Sequence, residues 1–213
     1  MRRLLQAVRM RLAPPKGLFQ PFARTRLDRY PVTFRFVQRA LGADGRVHLL
    51  SFGCSTGEEM ASLRRYFPNG VIKGIDINPA HIAAARRQAD ADMSFTVASS
   101  TAAEPDESYD AIFCMAVLRH GDLARPGVTR CDHLLRFEDF AVAVADFARC
   151  LKPGGLLVVR HSNFRLCDAP AGARFEAALQ APLRSALQTP IFGPDNALMP
   201  GVAYRDTVFR RRV

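Results

Sequence analysis

Residues 47–59 have the sequence VHLLSFGCSTGEE, and this segment sets the architecture of the chain. The continuous apolar run at 47–52 predicts a strand that is buried on both faces. Gly53 and Gly57 predict a tight turn in which the backbone can approach a ligand closely. The apolar spacing of 58–67 predicts a helix directly after this turn.

The same alternation of strand and helix continues along the chain. Strands are predicted at 71–77, 93–99, 109–117 and 156–162, and helices at 33–42, 79–89 and 137–151. The remaining C-terminal part predicts a helix at 171–188 and strands near 190–193 and 202–210. Alternation at this spacing produces right-handed crossovers, so we expect an α/β fold with a doubly wound, mostly parallel sheet.

The positive charge of the chain is concentrated at its N-terminal end. Residues 1–46 contain eleven lysines and arginines against Asp28 and Asp44, whereas residues 47–213 contain 19 basic and 18 acidic side chains. We therefore divide the chain into a basic helical extension at 1–46 and an α/β domain at 47–213. Such an asymmetry indicates an anionic partner for the basic end.

Residues 1–13 predict a short basic amphipathic helix, because Leu4, Leu5, Val8 and Leu12 recur at helical spacing. An anionic membrane surface, nucleic acid and the α/β domain itself are the alternatives for what it contacts. Polar residues interrupt any secretion-signal core, and no apolar run has the length of a membrane span. We expect a cytoplasmic protein, with peripheral membrane association as an alternative.

The cysteines do not predict a metal site or a disulfide framework. They are scattered and form no CxxC pair, which is typical of reduced thiols in a cytosolic protein. Their positions are Cys54, Cys114, Cys131, Cys150 and Cys167. We therefore expect no bound metal.

Asp76 stands at the end of the second predicted strand, 23 residues after Gly53. A carboxylate at this distance from a glycine turn can accept hydrogen bonds from both ribose hydroxyls of an adenosine cofactor. The turn has Ser55 where the dinucleotide-binding pattern has its middle glycine, and no phosphate-binding lysine follows. This departure weakens the case for NAD and argues against a P-loop nucleotidase.

Four segments in order resemble the class I S-adenosylmethionine-dependent methyltransferases. They are HLLSFGCSTGEE, GIDIN, YDAIFCMAVLRH and LKPGGLLVVRHS, within residues 47–165. Inside that superfamily, GCSTGEE is most similar to the CheR-type methyltransferases that modify chemotaxis receptors. Their additional helical domain and β-subdomain do not fit this chain length. We therefore expect the Rossmann-like class I fold and its cofactor, but not the receptor-glutamate substrate.

The resemblance implies S-adenosyl-L-methionine as cofactor and suggests how the chain holds it. The turn at 53–57 would surround the methionine part, Glu58 would help to neutralise the ammonium group, and Asp76 would hold the ribose. Ser99 and its neighbours after the third strand would face the adenine. The expected contacts are Gly53, Cys54, Ser55, Thr56, Gly57, Glu58, Asp76, Ile77, Ser99, Ser100, Cys114, Met115 and Ala116.

His120 is the candidate catalytic base, because an imidazole titrates near neutrality and this residue follows the fourth strand. A histidine packed beneath a loop is the alternative for the same residue. Further candidates at the ends of strands four and five are Arg119, Arg160, His161, Asn163 and Arg165. The arginines suit an acidic acceptor, although solvated surface charges would give the same pattern. The loops at 119–136 and 192–201 are the expected substrate-specific lids.

The leading functional hypothesis is therefore a methyltransferase that acts on a small or membrane-associated acceptor. A methyltransferase-fold binding protein without turnover, anchored by its basic N-terminal helix, is the first alternative. RNA methylation is the second, although no aromatic platform interleaves the N-terminal arginines. The chain has no paired NPPY segment, which argues against amide or base N-methylation.

Overall fold

A computed structural model describes residues 17–21, 25–42, 45–183 and 189–213. The predicted helix at 1–13 lies outside the described residues. The helices are α1 (Pro31–Leu41), α2 (Glu58–Tyr66), α3 (Pro79–Ala85) and α4 (Phe137–Cys150). The strands are β1 (His48–Phe52), β2 (Val71–Asp76), β3 (Met93–Val97), β4 (Tyr109–Met115), β5 (Leu151–Arg160), β6 (Phe175–Gln180) and β7 (Asp206–Arg211). Short 3₁₀ turns occupy Arg86–Gln88, Gly121–Ala124, Leu166–Asp168 and Pro170–Arg174.

The described strands form one sheet with the order β3-β2-β1-β4-β5-β7-β6. Strands β1 to β5 run parallel to one another, and β7 runs antiparallel between β5 and β6. The doubly wound, mostly parallel sheet is therefore confirmed. The chain proceeds from β1 outward to β3 and then returns to the other side for β4. Strand order thus reverses between β1 and β4, where open α/β sheets bind ligands at their carboxyl ends.

Helices cover both faces of the sheet, and each face has its own hydrophobic cluster. Leu49 of β1 belongs to the cluster under α1, α2 and α3, and Leu50 belongs to the cluster under α4. Successive strand residues point to opposite faces, which explains the continuous apolar run at this position. Phe34 of α1 packs on Phe113 of β4, with ring centroids 5.9 Å apart. Helix α1 is therefore part of the core, whereas the division at residue 46 stays a prediction.

The structure corrects the start of the fifth strand. We predicted strand 156–162, but β5 begins at Leu151, which pairs with Tyr109 of β4. The register then shifts, and Ala111 pairs with Leu156. The segment between these pairs, KPGG, was expected to precede the strand; instead it forms an irregularity inside it. Pairing with β4 on both sides of this irregularity keeps the chain in the sheet.

The helix predicted in the C-terminal part is wrong for the residues that the structure describes. Of the predicted helix 171–188, the described residues form a 3₁₀ turn at Pro170–Arg174 and strand β6. Backbone pairing with β7 overrides the helix propensity of this alanine-containing segment. The strand expected near 190–193 is only an isolated bridge between Phe192 and Leu198. The strand expected at 202–210 starts later, as β7.

Asn163 connects the loops at the carboxyl ends of β4 and β5. Its Oδ1 accepts a hydrogen bond of 2.8 Å from the backbone amide of His120, and its Nδ2 donates one of 2.8 Å to the carbonyl of Pro190. The side chain is 1% exposed. Asn163 therefore has a structural role rather than a place in the substrate site. Among the described residues, no helix combines the length and apolarity needed to cross a bilayer.

We expect Asn163→Ala to lower the free energy of unfolding by about 2–4 kcal/mol, because it leaves the buried amide of His120 and the partly buried carbonyl of Pro190 without this partner. Urea denaturation would measure this loss. The control is Asn69→Ala in an exposed turn, which should change the free energy of unfolding by less than about 0.5 kcal/mol. Equal effects of the two substitutions would contradict the structural role.

Candidate functional site

A cavity of about 1070 Å³ opens at the carboxyl ends of β1, β2 and β4. Its walls are the turn after β1, the turn after β2, the residues after β4 and the described part of segment 17–30. A ligand pocket usually measures roughly 300–1,000 Å³, so this one has room for a cofactor and a second molecule. The cavity lies at the reversal of strand order, where the topology places a ligand site.

The turn after β1 holds the backbone against the cavity. Gly53 and Cys54 both donate backbone hydrogen bonds to the carbonyl of Ile75, at 2.8 and 2.9 Å. Gly53 has φ +77°, and a Cβ at this position would lie 2.4 Å from a methyl group of Val117. Only glycine fits there without displacing the residues after β4. The turn therefore keeps an uncluttered backbone surface beside the cavity.

Asp76 connects the turns after β1 and β2 through its carboxylate. One oxygen accepts a 2.9 Å hydrogen bond from the amide of Ser55, and the other accepts a 2.8 Å bond from the amide of Asn78. His81 Nδ1 lies 3.3 Å from the second oxygen. Asp76 lines the cavity, and carboxylate oxygens have lone pairs beyond those used here. The group is thus fixed in place and can still accept hydrogen bonds from a ligand.

Glu59, rather than Glu58, presents its carboxyl group to the cavity. Glu59 accepts a 2.7 Å hydrogen bond from the hydroxyl of Ser51 and lies on the cavity wall. Burial raises the pKa of Glu59 to about 7, against lowering by the Ser51 hydrogen bond and by the charge of Arg29. Glu58 accepts hydrogen bonds from the Thr56 hydroxyl and does not line the cavity. The adjacent acids at the start of α2 were the available sequence signal for Glu59.

The cavity brings most of the predicted cofactor contacts together. Those that line it are Gly53, Cys54, Ser55, Thr56, Asp76, Ile77, Ser99, Met115 and Ala116. Those outside its wall are Gly57, Glu58, Ser100 and Cys114. Cys114 is completely buried in the core, and Gly57 packs its backbone on Ala85. Binding of the cofactor by these residues stays a prediction.

His120 is 9% exposed and lies behind the cavity wall, between the lining residues Arg119 and Gly121. Its Nδ1 accepts a 3.3 Å hydrogen bond from the amide of Asp122, so this nitrogen caps the 3₁₀ turn. These surroundings resemble the alternative of a histidine packed beneath a loop. Its role as a catalytic base stays a prediction.

Two further candidates from the sequence, Arg165 and His161, already have partners within the protein. Arg165 is paired with Asp168 at 2.7 Å. His161 adopts φ +56°, with Nδ1 3.4 Å from the hydroxyl of Thr189. Burial, followed by the charges of neighbouring arginines, lowers the pKa of His161 to about 4. His161 is therefore neutral near pH 7.

Arg29 and Tyr30 line the cavity from the segment before α1. Neither residue was predicted from the sequence as part of the site. The guanidinium carbons of Arg29 and Arg160 lie 5.1 and 5.0 Å from the centroid of the Tyr30 ring. No local pattern links residues 29 and 30 to the ends of β4 and β5, because only tertiary packing brings them together. Within the described ranges, no group of three or more His, Cys, Asp or Glu residues could hold a metal ion.

The chain is similar to known proteins in both sequence and fold. The family model described as "Methyltransferase domain" matches residues 50–159. An O-methyltransferase, cnsE, from Penicillium expansum is 29% identical over 142 residues, which cover 65% of this chain and 47% of that protein. The chain thus spans about half the length of this curated relative.

Solved structures show similarity to the fold. One is a complex between the Haloferax volcanii Trm112 methyltransferase activator and a putative methyltransferase, which matches with a TM-score of 0.56 and 18% identity, over 87% of this chain and 91% of that chain. A geranyl diphosphate C-methyltransferase from Streptomyces coelicolor A3(2) matches with a TM-score of 0.45 and 20% identity, over 61% of this chain and 45% of that chain. The sheet has the Rossmann-like class I methyltransferase fold, whereas the closer similarity to CheR-type enzymes stays a prediction.

We expect Gly53→Ala to lower the free energy of unfolding by about 2–4 kcal/mol, because it combines a strained backbone with a clash against Val117. Gly127→Ala is the matched control, since Gly127 has φ +81° but nothing within 4 Å of its Cβ position. This control should lose only about 1 kcal/mol. Adding Val117→Ala should recover part of the Gly53→Ala loss. Denaturation would test the comparison, and equal losses at both glycines would contradict the crowding.

Glu59 predicts a pH dependence of stability. Its folded-state pKa of about 7 exceeds the ordinary value of 4.5, so the folded protein binds this proton more tightly than the unfolded chain does. The contribution to stability is present below the ordinary value and is lost as pH rises toward 7. Urea denaturation across this window should show a smaller decline for Glu59→Gln than for the wild type. Glu58→Gln should retain the wild-type decline, and identical profiles for all three proteins would contradict the assignment.

Proposed function

The chain belongs to the methyltransferase domain family, and from this membership we propose that it transfers a methyl group from S-adenosylmethionine to an acceptor. The observation that carries the proposal is that Gly53 and Asp76 line one cavity at the reversal of strand order. A glycine turn and a fixed carboxylate in this arrangement suit a nucleoside cofactor.

The residues of the cavity fit this cofactor at both of its ends. Asp76 would accept hydrogen bonds from the ribose hydroxyls, and Ser99 lies on the part of the wall expected to face the adenine. The charge of Arg29 acts on the carboxyl group of Glu59, and both residues line the cavity. An acid beside a guanidinium matches the adjacent ammonium and carboxylate of the cofactor's amino-acid end. The cofactor, when bound, supplies an electrophilic methyl group on a sulfonium.

The contribution of the protein would be alignment and exclusion of water. Residues 17–21 line the cavity together with Ser99 and the turn after β1. A Cβ on Gly17 would lie 3.1 Å from Cβ of Ser99, so this segment packs closely against the residues after β3. A general base is required only for an acceptor that must lose a proton.

The acceptor that we propose is small or membrane-associated, as expected from the sequence. The cavity offers room beside the cofactor for such a molecule. A binding protein without turnover and an RNA methyltransferase remain the alternatives, and no observation favours either over methyl transfer.

We expect the wild-type protein to bind S-adenosylhomocysteine, the product form of the cofactor, and Asp76→Asn to bind it about tenfold to a hundredfold more weakly. The amide keeps one acceptor oxygen but turns its NH₂ group toward the backbone amide of either Ser55 or Asn78, and it offers fewer lone pairs to the ribose. Isothermal titration calorimetry would measure both dissociation constants.

Asp90→Asn is the matched control for Asp76→Asn. Asp90 also accepts hydrogen bonds, from Arg64 and from the amide of Asp92, but it does not line the cavity. Its substitution should leave the affinity for S-adenosylhomocysteine unchanged. Failure of the wild-type protein to bind either S-adenosylmethionine or S-adenosylhomocysteine would overturn the proposed function, and an unaltered affinity in Asp76→Asn would overturn the ribose assignment.

A further inference from the structure

The carboxyl ends of β4 and β5 hold a group of cationic side chains around one tyrosine. Arg29, Arg119 and Arg160, with Tyr30, form what we call the arginine cluster. Arg29, Tyr30 and Arg119 line the cavity, whereas Arg160 lies at the end of β5, with its guanidinium near the Tyr30 ring. Residues 29 and 30 and the loop after β4 thus meet at one part of the cavity wall, with the end of β5 behind the Tyr30 ring.

Three polar atoms of the arginine cluster are buried without hydrogen-bond partners among the described residues. They are Nε of Arg119, Nε of Arg160 and the hydroxyl oxygen of Tyr30. A buried donor without a partner is costly, and most buried polar groups in proteins are satisfied. Three such atoms in one cluster therefore indicate a site prepared for a ligand that accepts hydrogen bonds.

Several other arginines of the described residues are paired with carboxylates, and further ones donate to backbone carbonyls, as Arg86 does to Phe95. Arg64 binds Asp90 at 2.7 Å, and Arg165 binds Asp168 at 2.7 Å. For Arg119 and Arg160, burial lowers the pKa, the nearby charge of Arg29 lowers it further, and only Tyr30 acts to raise it. The electrostatic surroundings of these two guanidinium groups are therefore cationic rather than balanced.

We propose that Arg119 and Arg160, together with the Tyr30 hydroxyl, bind an oxyanionic group of the methyl acceptor, a carboxylate or a phosphate. This inference rests on the proposed function, since it assigns the substrate class of the same cavity. Arg119 would make the direct contact from the cavity wall, and Arg160 would add its charge from behind Tyr30. Guanidinium groups suit planar carboxylates and phosphates because their donors form a fixed fork.

The carboxylate of the cofactor does not account for the arginine cluster. One carboxylate is matched by one guanidinium, and Arg29 is the member whose charge acts on Glu59. Arg119 and Arg160 then remain as two further positive charges beside the end of β4. Arg119 follows Met115 and Ala116, which line the cavity where the methionine part is expected. An oxyanion at Arg119 would place an acceptor beside the methyl donor.

The test measures oxyanion binding to the full chain by calorimetry, with and without saturating S-adenosylhomocysteine. Inorganic phosphate and benzoate are the two probes, each compared with chloride at equal ionic strength, so that phosphate and carboxylate acceptors are distinguished. We expect at least one probe to bind the wild-type protein. Arg119→Gln and Arg160→Gln should weaken its binding about tenfold or more, and Tyr30→Phe should weaken it by a smaller factor.

Arg136→Gln is the matched control, because it removes the same charge from an exposed position at the start of α4. It should leave the affinity for the probe unchanged. Arg119→Gln should not lower the thermal midpoint, because the buried Nε of Arg119 has no hydrogen-bond partner among the described residues, so a retained or increased midpoint would separate ligand binding from a structural role. Failure of both probes to bind, or equal weakening by Arg136→Gln, would overturn the inference.

A second comparison separates the acceptor from the cofactor. 5′-Methylthioadenosine lacks the amino-acid end of S-adenosylhomocysteine, so the ratio of the two affinities reports contacts to that end. Arg119→Gln should preserve the wild-type ratio. A ratio that falls about tenfold would show that Arg119 holds the cofactor carboxylate, which would overturn the inference and leave the proposed function intact. Absence of S-adenosylhomocysteine binding by the wild-type protein would overturn the proposed function, while the probes would still test for an oxyanion site.

Discussion

The carboxylate of Asp76 is the constraint on which the geometry of the cavity depends. It binds the amides of Ser55 and Asn78, and so fixes the turn after β1 to the turn after β2. Ser55 adopts φ +50°, which is uncommon for a residue with a side chain. The hydrogen bond to Asp76 therefore stabilises a conformation that local preferences would not select. The same carboxylate that holds the two turns together also lines the cavity, where its remaining lone pairs can accept hydrogen bonds from a ligand.

The central part of the fold could be predicted from the sequence because its signals are local. Strands β1, β2 and β4 appear as largely apolar runs, since a strand covered on both faces needs apolar residues at successive positions. The tight turn at Gly53 could also be predicted, because such a turn needs the conformational freedom of glycine. The location of the cavity then follows from topology, since parallel strands place the residues after them along one edge.

The features that the sequence did not reveal depend on contacts between distant segments. The segment at 175–180 favours a helix by composition and becomes strand β6 only because β7 pairs with it. Tyr30 lines the cavity, and the guanidinium carbon of Arg160, which is far away in the sequence, lies 5.0 Å from its ring centroid. Glu59 and Glu58 are neighbours in the chain, yet only packing decides which one lines the cavity. Periodicity identifies elements, whereas side chains that meet across loops require the folded structure.

The charges around the cavity are unevenly distributed, and this asymmetry has a chemical consequence. The carboxyl groups of Asp76 and Glu59 line the β1 and β2 side, whereas Arg119 lines the β4 side, with Arg160 behind the Tyr30 ring. Asp122 also lines the β4 side, but it is paired with Arg125 at 2.8 Å. In the proposed complex, the acids would favour the cationic sulfonium of the cofactor and the arginines would favour an anionic acceptor. Because interactions between charges strengthen where water is excluded, such a field would orient both reactants before any bond changes. Orientation of this kind would supply the alignment that in-line methyl transfer requires.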